Sequence, residues 1–317
     1  MKILVTGAAG FIGSHLAERL VKDGHIVIAL DCFTDYYDVR IKEINAGEVQ
    51  SAGAKFLKLD LAEDDLVGAV SGVEAIFHCA AQPGISSSTP FESYVRNNIV
   101  ATERLLLAAE KEPSLKVFIN FATSSVYGVH ANGNETMEPR PASYYGVTKL
   151  AAEQLVLARA RSRGFPGISL RIFSVYGERE RPEKLYHKLT KAILEDTPFP
   201  LFDGSREHVR SFTYVGDIVE ACTQVLAAYE ACIGEIFNVG NDTTHTTDEG
   251  INLIEGLVGK KATFEMQPAR PGDQHDTAAN IAKAHAAFGF APKTDLREGL
   301  KREVDWYRAK IYGKLRP

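Results

Sequence analysis

Cysteine is scarce and scattered. Only four occur in 317 residues, Cys32, Cys79, Cys222 and Cys232. No two stand as CxxC or at a zinc-ligand spacing, so neither a disulfide framework nor a metal site organises the chain. They are expected to be reduced thiols. Basic tracts are missing as well. Lys and Arg number 36 against 41 Asp and Glu, a net charge of −5, which makes nucleic acid and anionic membranes poor partners. No apolar run is long enough to span a bilayer. The opening stretch MKILVTGAAGFIG lacks the long apolar segment and cleavage site of a signal peptide, so a cytoplasmic protein is expected. There is no internal repeat and no low-complexity linker. What remains is an ordinary globular composition, 45% hydrophobic and 24% charged. The length suits one large α/β unit or two tightly joined domains.

Short β-rich runs recur along the first half: KILVTG (2–7), HIVIALD (25–31), AKFLKLD (54–60), EAIFHCAA (74–81), KVFINFAT (116–123) and GISLRIF (167–173). Helical spacing fills the intervals, as in SHLAERLVKDG (14–24), YVRNNIVATERLLLAAEKE (94–112) and SYYGVTKLAAEQLVLARARSRG (143–164). Strands apolar on both faces, alternating with helices, predict an α/β fold with a Rossmann-type doubly wound parallel sheet. Beyond about residue 175, charged and proline-containing stretches such as GERERPEKLYHK and EDTPFPLFDGSREHVR break the alternation.

The stretch TGAAGFIGSH places Gly7, Gly10 and Gly13 between the first strand and the first helix. Glycines let the backbone turn sharply and approach a pyrophosphate, and the helix N-terminus offers free N–H groups and the positive end of its dipole. The GxxGxxG spacing is a variant of the GxGxxG dinucleotide fingerprint. Asp31, at the end of the second strand, is placed to bond the adenosine ribose hydroxyls. Its charge repels a 2′-phosphate, which favours NAD over NADP. Asp60, with Leu61 beside it, admits two readings: an acceptor for the adenine amino group, or a helix N-cap. The expected division is therefore an NAD-binding part over 1–175, to which some later segments return, and a mainly substrate-binding part over 176–317.

FATSSVYG (121–128) follows a strand, where open α/β sheets place their sites. Its hydroxyls Thr123, Ser124 and Ser125 suit a polar substrate, although alone they fit a polar loop equally well. Further on, YYGVTK places Tyr145 four residues before Lys149. Of the 12 tyrosines, only Tyr145 has this partner, and on a helix the two share a face. An ammonium beside a phenol favours the phenolate, which makes Tyr145 the candidate general base.

These motifs, with FHCAAQ, RIFSVYG, HVRSFTYVGDIV and RPGD, run nearly end to end. Together they resemble the extended short-chain dehydrogenase/reductases of the nucleotide-sugar epimerase and dehydratase group. The resemblance implies tightly held NAD, oxidation at the sugar C-4, and Thr123 as the hydroxyl that bonds O-4. It places Phe11, Ile12, Leu61 and Ala80 beside the cofactor, and Gln82 and Ser174 beside the substrate. Arg210 and Arg270 match positions that contact the diphosphate, where bidentate arginine suits phosphate, and Asp273 lies near the nucleoside ribose. Dehydratases of the group carry Asp-Glu after the threonine, and decarboxylases a glutamate just before the valine. Here Ser124 and Ser125 fill those slots, which leaves 4-epimerisation as the simplest chemistry.

DCFTDYYDVRIKE (31–43) and SVYGERERPEKLYHK (174–188) are similar to stretches of UDP-glucuronate 4-epimerases in particular. The chain departs from them at Glu183-Lys184, where Asp-Met is more usual, and at Cys32, where asparagine is common. A 4-keto-uronate is a β-keto acid that loses CO2 easily. An epimerase must therefore hold its carboxylate, a role open to Thr123, Ser124, Ser125 and Ser174. Arg181 either adds charge there or is a solvated surface residue. Asn98 is either a supporting anchor or simply buried and satisfied, and His78 reads as packing. The helices at 94–112 and 145–163 carry apolar stripes that either pair across a homodimer, as in the family, or face the sheet. The alternatives are a UDP-glucose or UDP-N-acetylhexosamine epimerase, a UDP-glucuronate decarboxylase, and a catalytically silent NAD-binding regulator. Intact Thr123, Tyr145 and Lys149 argue against the last.

Overall fold

The central sheet contains β1 (Lys2–Thr6), β2 (Ile26–Asp31), β3 (Lys55–Lys58), β4 (Ala75–His78), β5 (Val117–Thr123), β6 (Gly167–Ile172) and β7 (Ile236–Val239). Their spatial order is β7-β6-β5-β4-β1-β2-β3, and every neighbouring pair is parallel. The order reverses between β1 and β4, and ligands of open α/β sheets bind at such a reversal. The computed structural model describes residues 1–85, 89–269 and 276–315.

β5 is buried along its whole length, and Ile3, Leu4 and Val5 of β1 are fully enclosed. This is why these strands read as unbroken apolar runs. β3 lies at the sheet edge and is shorter than the 54–60 run suggested. It stops at Lys58, and its terminal lysines are exposed, which discourages edge-to-edge pairing. Asp60 therefore lies beyond the strand, in a turn where its Oδ1 accepts from Ala62 N at 2.8 Å.

Helices cover both faces. α1 (Phe11–Lys22) buries Leu16, Ala17 and Leu20 against the sheet. α2 (Val39–Ala52) starts at an Asp38 side-chain cap and ends at Gly53, whose φ of +114° suits glycine. α3 consists of three consecutive segments, Phe91–Tyr94, the π-helical Val95–Val100, and Ala101–Ala109. α4 (Tyr144–Arg163) is capped by Ser143, whose hydroxyl accepts from Gly146 N, and ends at Gly164 with φ +67°.

The chain beyond residue 175 is more regular than its sequence suggested. It contains α5 (Leu185–Leu194), α6 (Val215–Ala227), α7 (Thr247–Val258) and α8 (Leu296–Trp306). α6 packs on α1, and β7 pairs with β6, so these two elements join the sheet layer. Short ribbons complete the rest: Val175–Tyr176 beside Thr213–Tyr214, Phe199–Phe202 beside Phe264–Gln267, and a small sheet that includes Val209–Arg210. α7 begins with a capping box of Thr246 and Glu249, a local T-x-x-E signal legible in HTTDEG.

Candidate active site

Gly7, with φ +70°, passes so close to β4 that a Cβ there would lie 2.8 Å from Ala80 N, and a Cβ on Gly13 would overlap the Gly7 carbonyl oxygen. Gly10 N donates to Gly7 O at 3.0 Å and closes the turn. Gly10 is also the N-cap of α1 and brings no side chain, so the first N–H groups of Phe11, Ile12 and Gly13 point at the cleft uncapped. That is the donor set a pyrophosphate needs. Asp31 braces the loop: its carboxylate accepts from Ala9 N at 3.1 Å and Phe33 N at 2.8 Å. The Asp60 carboxylate forms the turn noted above and pairs with Arg96 at 2.8 Å, so it serves as a local turn anchor at the cleft edge.

Gly7, Gly10, Phe11, Ile12, Gly13, Asp31 and Asp60 line one cleft of about 2510 Å³, together with Leu61, Ala80, Thr123, Ser124, Ser125, Tyr145, Lys149, Ser174, Arg181 and Arg210. Thr123 ends β5. Its Oγ1 accepts from Ser125 N at 3.1 Å and caps the short 3₁₀ turn Ser124–Tyr127, while its side chain acts on the Tyr145 phenol. Gln82 stands apart. It is buried behind the cleft wall, with its N–H donating to Asn98 Oδ1 at 2.7 Å and its carbonyl accepting from Asn98 Nδ2 at 3.2 Å. Arg270 and Asp273 lie outside the described residues.

The charge arrangement differs from the one expected from spacing alone. Burial raises the Tyr145 phenol above its ordinary pKa, and the charge of Arg181 and then the Thr123 hydrogen bond oppose that rise. Lys149 is not among the groups acting on it. The i, i+4 spacing brings both onto one helix face but not into charge contact. Lys149 is 3% exposed, its pKa is lowered by burial to about 8, and the carboxylate acting on it is Glu153. Arg181 is the cation that acts on the phenol. Its Nε lies 3.3 Å from Glu183, and its Nη1 is buried with no hydrogen-bond partner among the described residues.

Two buried networks hold these groups in place. Asn98 sits in the π-helical segment of α3, and its Nδ2 also donates to Thr148 Oγ1 on α4 at 3.0 Å. Thr102 Oγ1 donates to Asn98 O at 2.7 Å. His78 Nε2 therefore donates to Thr102 Oγ1, and Nδ1 accepts from Thr6 Oγ1, each at 2.9 Å. Burial lowers the His78 pKa to about 3, so the ring is a neutral link from β1 to α3, in keeping with its reading as packing. Asn98 proves to be an anchor, tying the Gln82 turn to α4.

The second network escaped the sequence reading. Glu153, one turn beyond Lys149, accepts from Arg171 of β6 in a bidentate pair at 3.0 and 2.7 Å. Arg171 also donates to Tyr127 OH at 2.9 Å, and that hydroxyl donates to Asn238 of β7 at 2.8 Å. Arg171 was visible within RIFSVYG, but nothing local marked it as the partner of a glutamate 18 residues earlier.

The model of the NAD dependent epimerase/dehydratase family matches residues 3–240. The chain belongs to that family. Among its relatives, a Bacillus subtilis protein described as an uncharacterized UDP-glucose epimerase is 39% identical, over 99% of this chain and 100% of that one. The UDP-glucuronate 4-epimerase 2 of Arabidopsis thaliana is 32% identical, over 97% of this chain and 76% of the relative. The UDP-glucuronic acid 4-epimerase of Bacillus cereus, solved with UDP-glucuronic acid and NAD, superposes with a TM-score of 0.92. It is 36% identical and the match covers 98% of this chain and 99% of that one.

Proposed function

We propose that the protein catalyses NAD-dependent 4-epimerisation of a UDP-sugar, with UDP-glucuronate and UDP-galacturonate as the preferred pair. The observation that carries this reading is the placement of Thr123, Tyr145 and Lys149 in one cleft with the glycine loop. A single small ligand occupies roughly 300–1,000 Å³, so a cleft of about 2510 Å³ has room for a dinucleotide and a nucleotide sugar together.

The residues present fit NAD. The uncapped N–H groups of Phe11, Ile12 and Gly13 receive its pyrophosphate, with Gly7 and Gly10 allowing the approach. Asp31 takes the adenosine ribose, and Asp60, Leu61 and Ala80 border the adenine side. Lys149 holds the nicotinamide ribose. When bound, NAD supplies the hydride acceptor and donor at C-4. Thr123 holds O-4, and Tyr145, once its phenol is ionised with the support of the Arg181 charge, would accept the O-4 proton as C-4 is oxidised and return it when C-4 is reduced. Ser124 and Ser125 offer no acid for dehydration. With Ser174 and Arg181 they bind the uronate carboxylate and keep it from leaving as CO2. Arg210 takes the diphosphate, with Arg270 and Asp273 as further contacts. The reading keeps 1–175 as the NAD-binding part and 176–317 as mainly substrate-binding, and places the protein in the cytoplasm as a homodimer. Exposed Val100 and Leu107 on α3, and exposed Tyr144 and Val147 on α4, support such a dimer.

The solved complex of the Bacillus cereus relative favours the uronate pair, whereas the description of the Bacillus subtilis relative favours UDP-glucose as the second reading. Purified protein, with no added NAD, is incubated with UDP-glucuronate and separately with UDP-glucose, and products are resolved by NMR. UDP-galacturonate without UDP-pentose is expected. UDP-galactose from UDP-glucose alone replaces the substrate with the second reading, and UDP-pentose makes the protein a decarboxylase. No turnover of either sugar overturns the proposal. The carboxylate-holding role fails if Ser124→Ala with Ser125→Ala leaves glucuronate turnover and CO2 release unchanged.

A further inference from the structure

Lys184 is the N-cap residue of α5 and lines the cleft. Its ammonium makes no hydrogen bond or close ion pair among the described residues. The charges acting on it are, in order, Glu180, Arg181, Glu183 and Arg210. Both carboxylates are engaged elsewhere. Glu183 pairs with Arg181 at 3.3 Å. Glu180 accepts from His187 N at 3.1 Å and is bonded to the Glu303 carboxyl of α8, and burial raises the pKa of both carboxyls. Lys184 thus stands among two arginines and two carboxylates that each have another partner, with Glu180 the strongest charge acting on it, and burial lowers its pKa. Gathering like charges in a partly desolvated cleft is unfavourable in the free protein and is offset when an anion enters.

Position narrows the ligand. Arg181 acts on Tyr145, so it marks the end where the reacting carbon must lie. Lys184 is not among the groups acting on Tyr145, and feels Arg210 instead. We propose that Lys184 is a substrate-binding residue that takes an anionic oxygen of the nucleotide sugar, between the reacting carbon and the Arg210 end of the cleft. This rests on the nucleotide-sugar reading above and adds a contact to it. The flexible four-carbon stem and three donors of lysine suit an oxyanion whose position shifts when the keto-sugar turns. A diphosphate and a uronate carboxylate both present such an oxygen.

The test measures calorimetric binding of UDP, UDP-glucose and UDP-glucuronate to the NAD-loaded protein, for wild type, Lys184→Met and Lys184→Arg. Loss of a charge-assisted contact is expected to weaken binding about tenfold or more. NAD content and melting temperature should stay unchanged in Lys184→Met, and Lys184→Arg should restore most of the affinity. Weakening for all three ligands supports the proposal with the diphosphate as partner; weakening for UDP-glucuronate alone supports it with the carboxylate. Unchanged affinity of Lys184→Met for all three ligands overturns the inference while leaving the nucleotide-sugar reading in place. A wild type that binds none of them overturns both.

Discussion

Replacing Arg171 with leucine removes the cation from a site that water does not reach. Glu153 is fully buried and Arg171 is 1% exposed. In the variant the Glu153 carboxylate keeps only the Ser169 hydroxyl, at 3.2 Å, against the two guanidinium bonds it loses. Breaking one side of a buried ion pair costs about 3–5 kcal/mol. With an unfolding entropy of about 2.1 cal/mol/K per residue, a chain of this length loses about 1.5 °C per kcal/mol, so the melting temperature should fall by about 4–8 °C. The carboxyl can escape only by taking up a proton, which raises its pKa in the folded variant above the unfolded value. Such a group loses stability as pH rises from the unfolded toward the folded pKa. The deficit against wild type should therefore be smaller at pH 5 than at pH 8. Scanning calorimetry of the NAD-loaded protein at both pH values measures it. Glu153→Met with Arg171→Leu should recover part of the loss, because no carboxylate is then stranded, although Lys149 loses the Glu153 charge that acts on it. A melting temperature within 1 °C of wild type, or a double variant no better than the single one, would refute the reasoning.

Three further outcomes follow from the site. Tyr145→Phe should lower the epimerisation rate by about 10²- to 10⁴-fold while UDP binding and NAD content stay at wild-type levels; a parallel loss of NAD would mean that the phenol is structural. Gly13→Ala drives a Cβ into the Gly7 carbonyl, so the purified variant should carry little NAD in its absorbance spectrum, and full loading would show that the loop adapts. Lys149 has a folded pKa of about 8 against the ordinary 10.5, so its burial penalises the charged form at neutral pH, and the penalty disappears as pH rises from about 8 toward 10.5. Lys149→Met should accordingly melt above wild type at pH 7, with the gap narrowing above pH 8. A gap that widens with pH would reverse the sign of the argument.

Legibility from sequence followed the range of the contacts. GxxGxxG was readable because a sharp turn and an uncapped helix start depend on neighbouring residues. β3 was overread because LKLD continues its apolar pattern while the Asp60 turn ends the strand two residues earlier. The helices beyond residue 175 were obscured by the charged and proline-rich stretches between them, although the Thr246–Glu249 capping box was written in the chain. Neither the Glu153–Arg171 pair nor the Asn98 clamp could be read locally. Each joins elements that are adjacent only once the sheet has formed.

The sequence by itself determined the alternation of strand and helix and the turn of the phosphate loop, because these rest on local geometry; it put forward Tyr145 and Lys149 on their spacing and Thr123 on a family resemblance. Only the tertiary structure decided which charges act on them. Arg181 acts on the phenol, Glu153 acts on Lys149, and Lys184 lies in the cleft among Glu180, Arg181, Glu183 and Arg210. Those effects depend on desolvation and on distances across the cleft, and neither exists until residues far apart in the chain are packed around it.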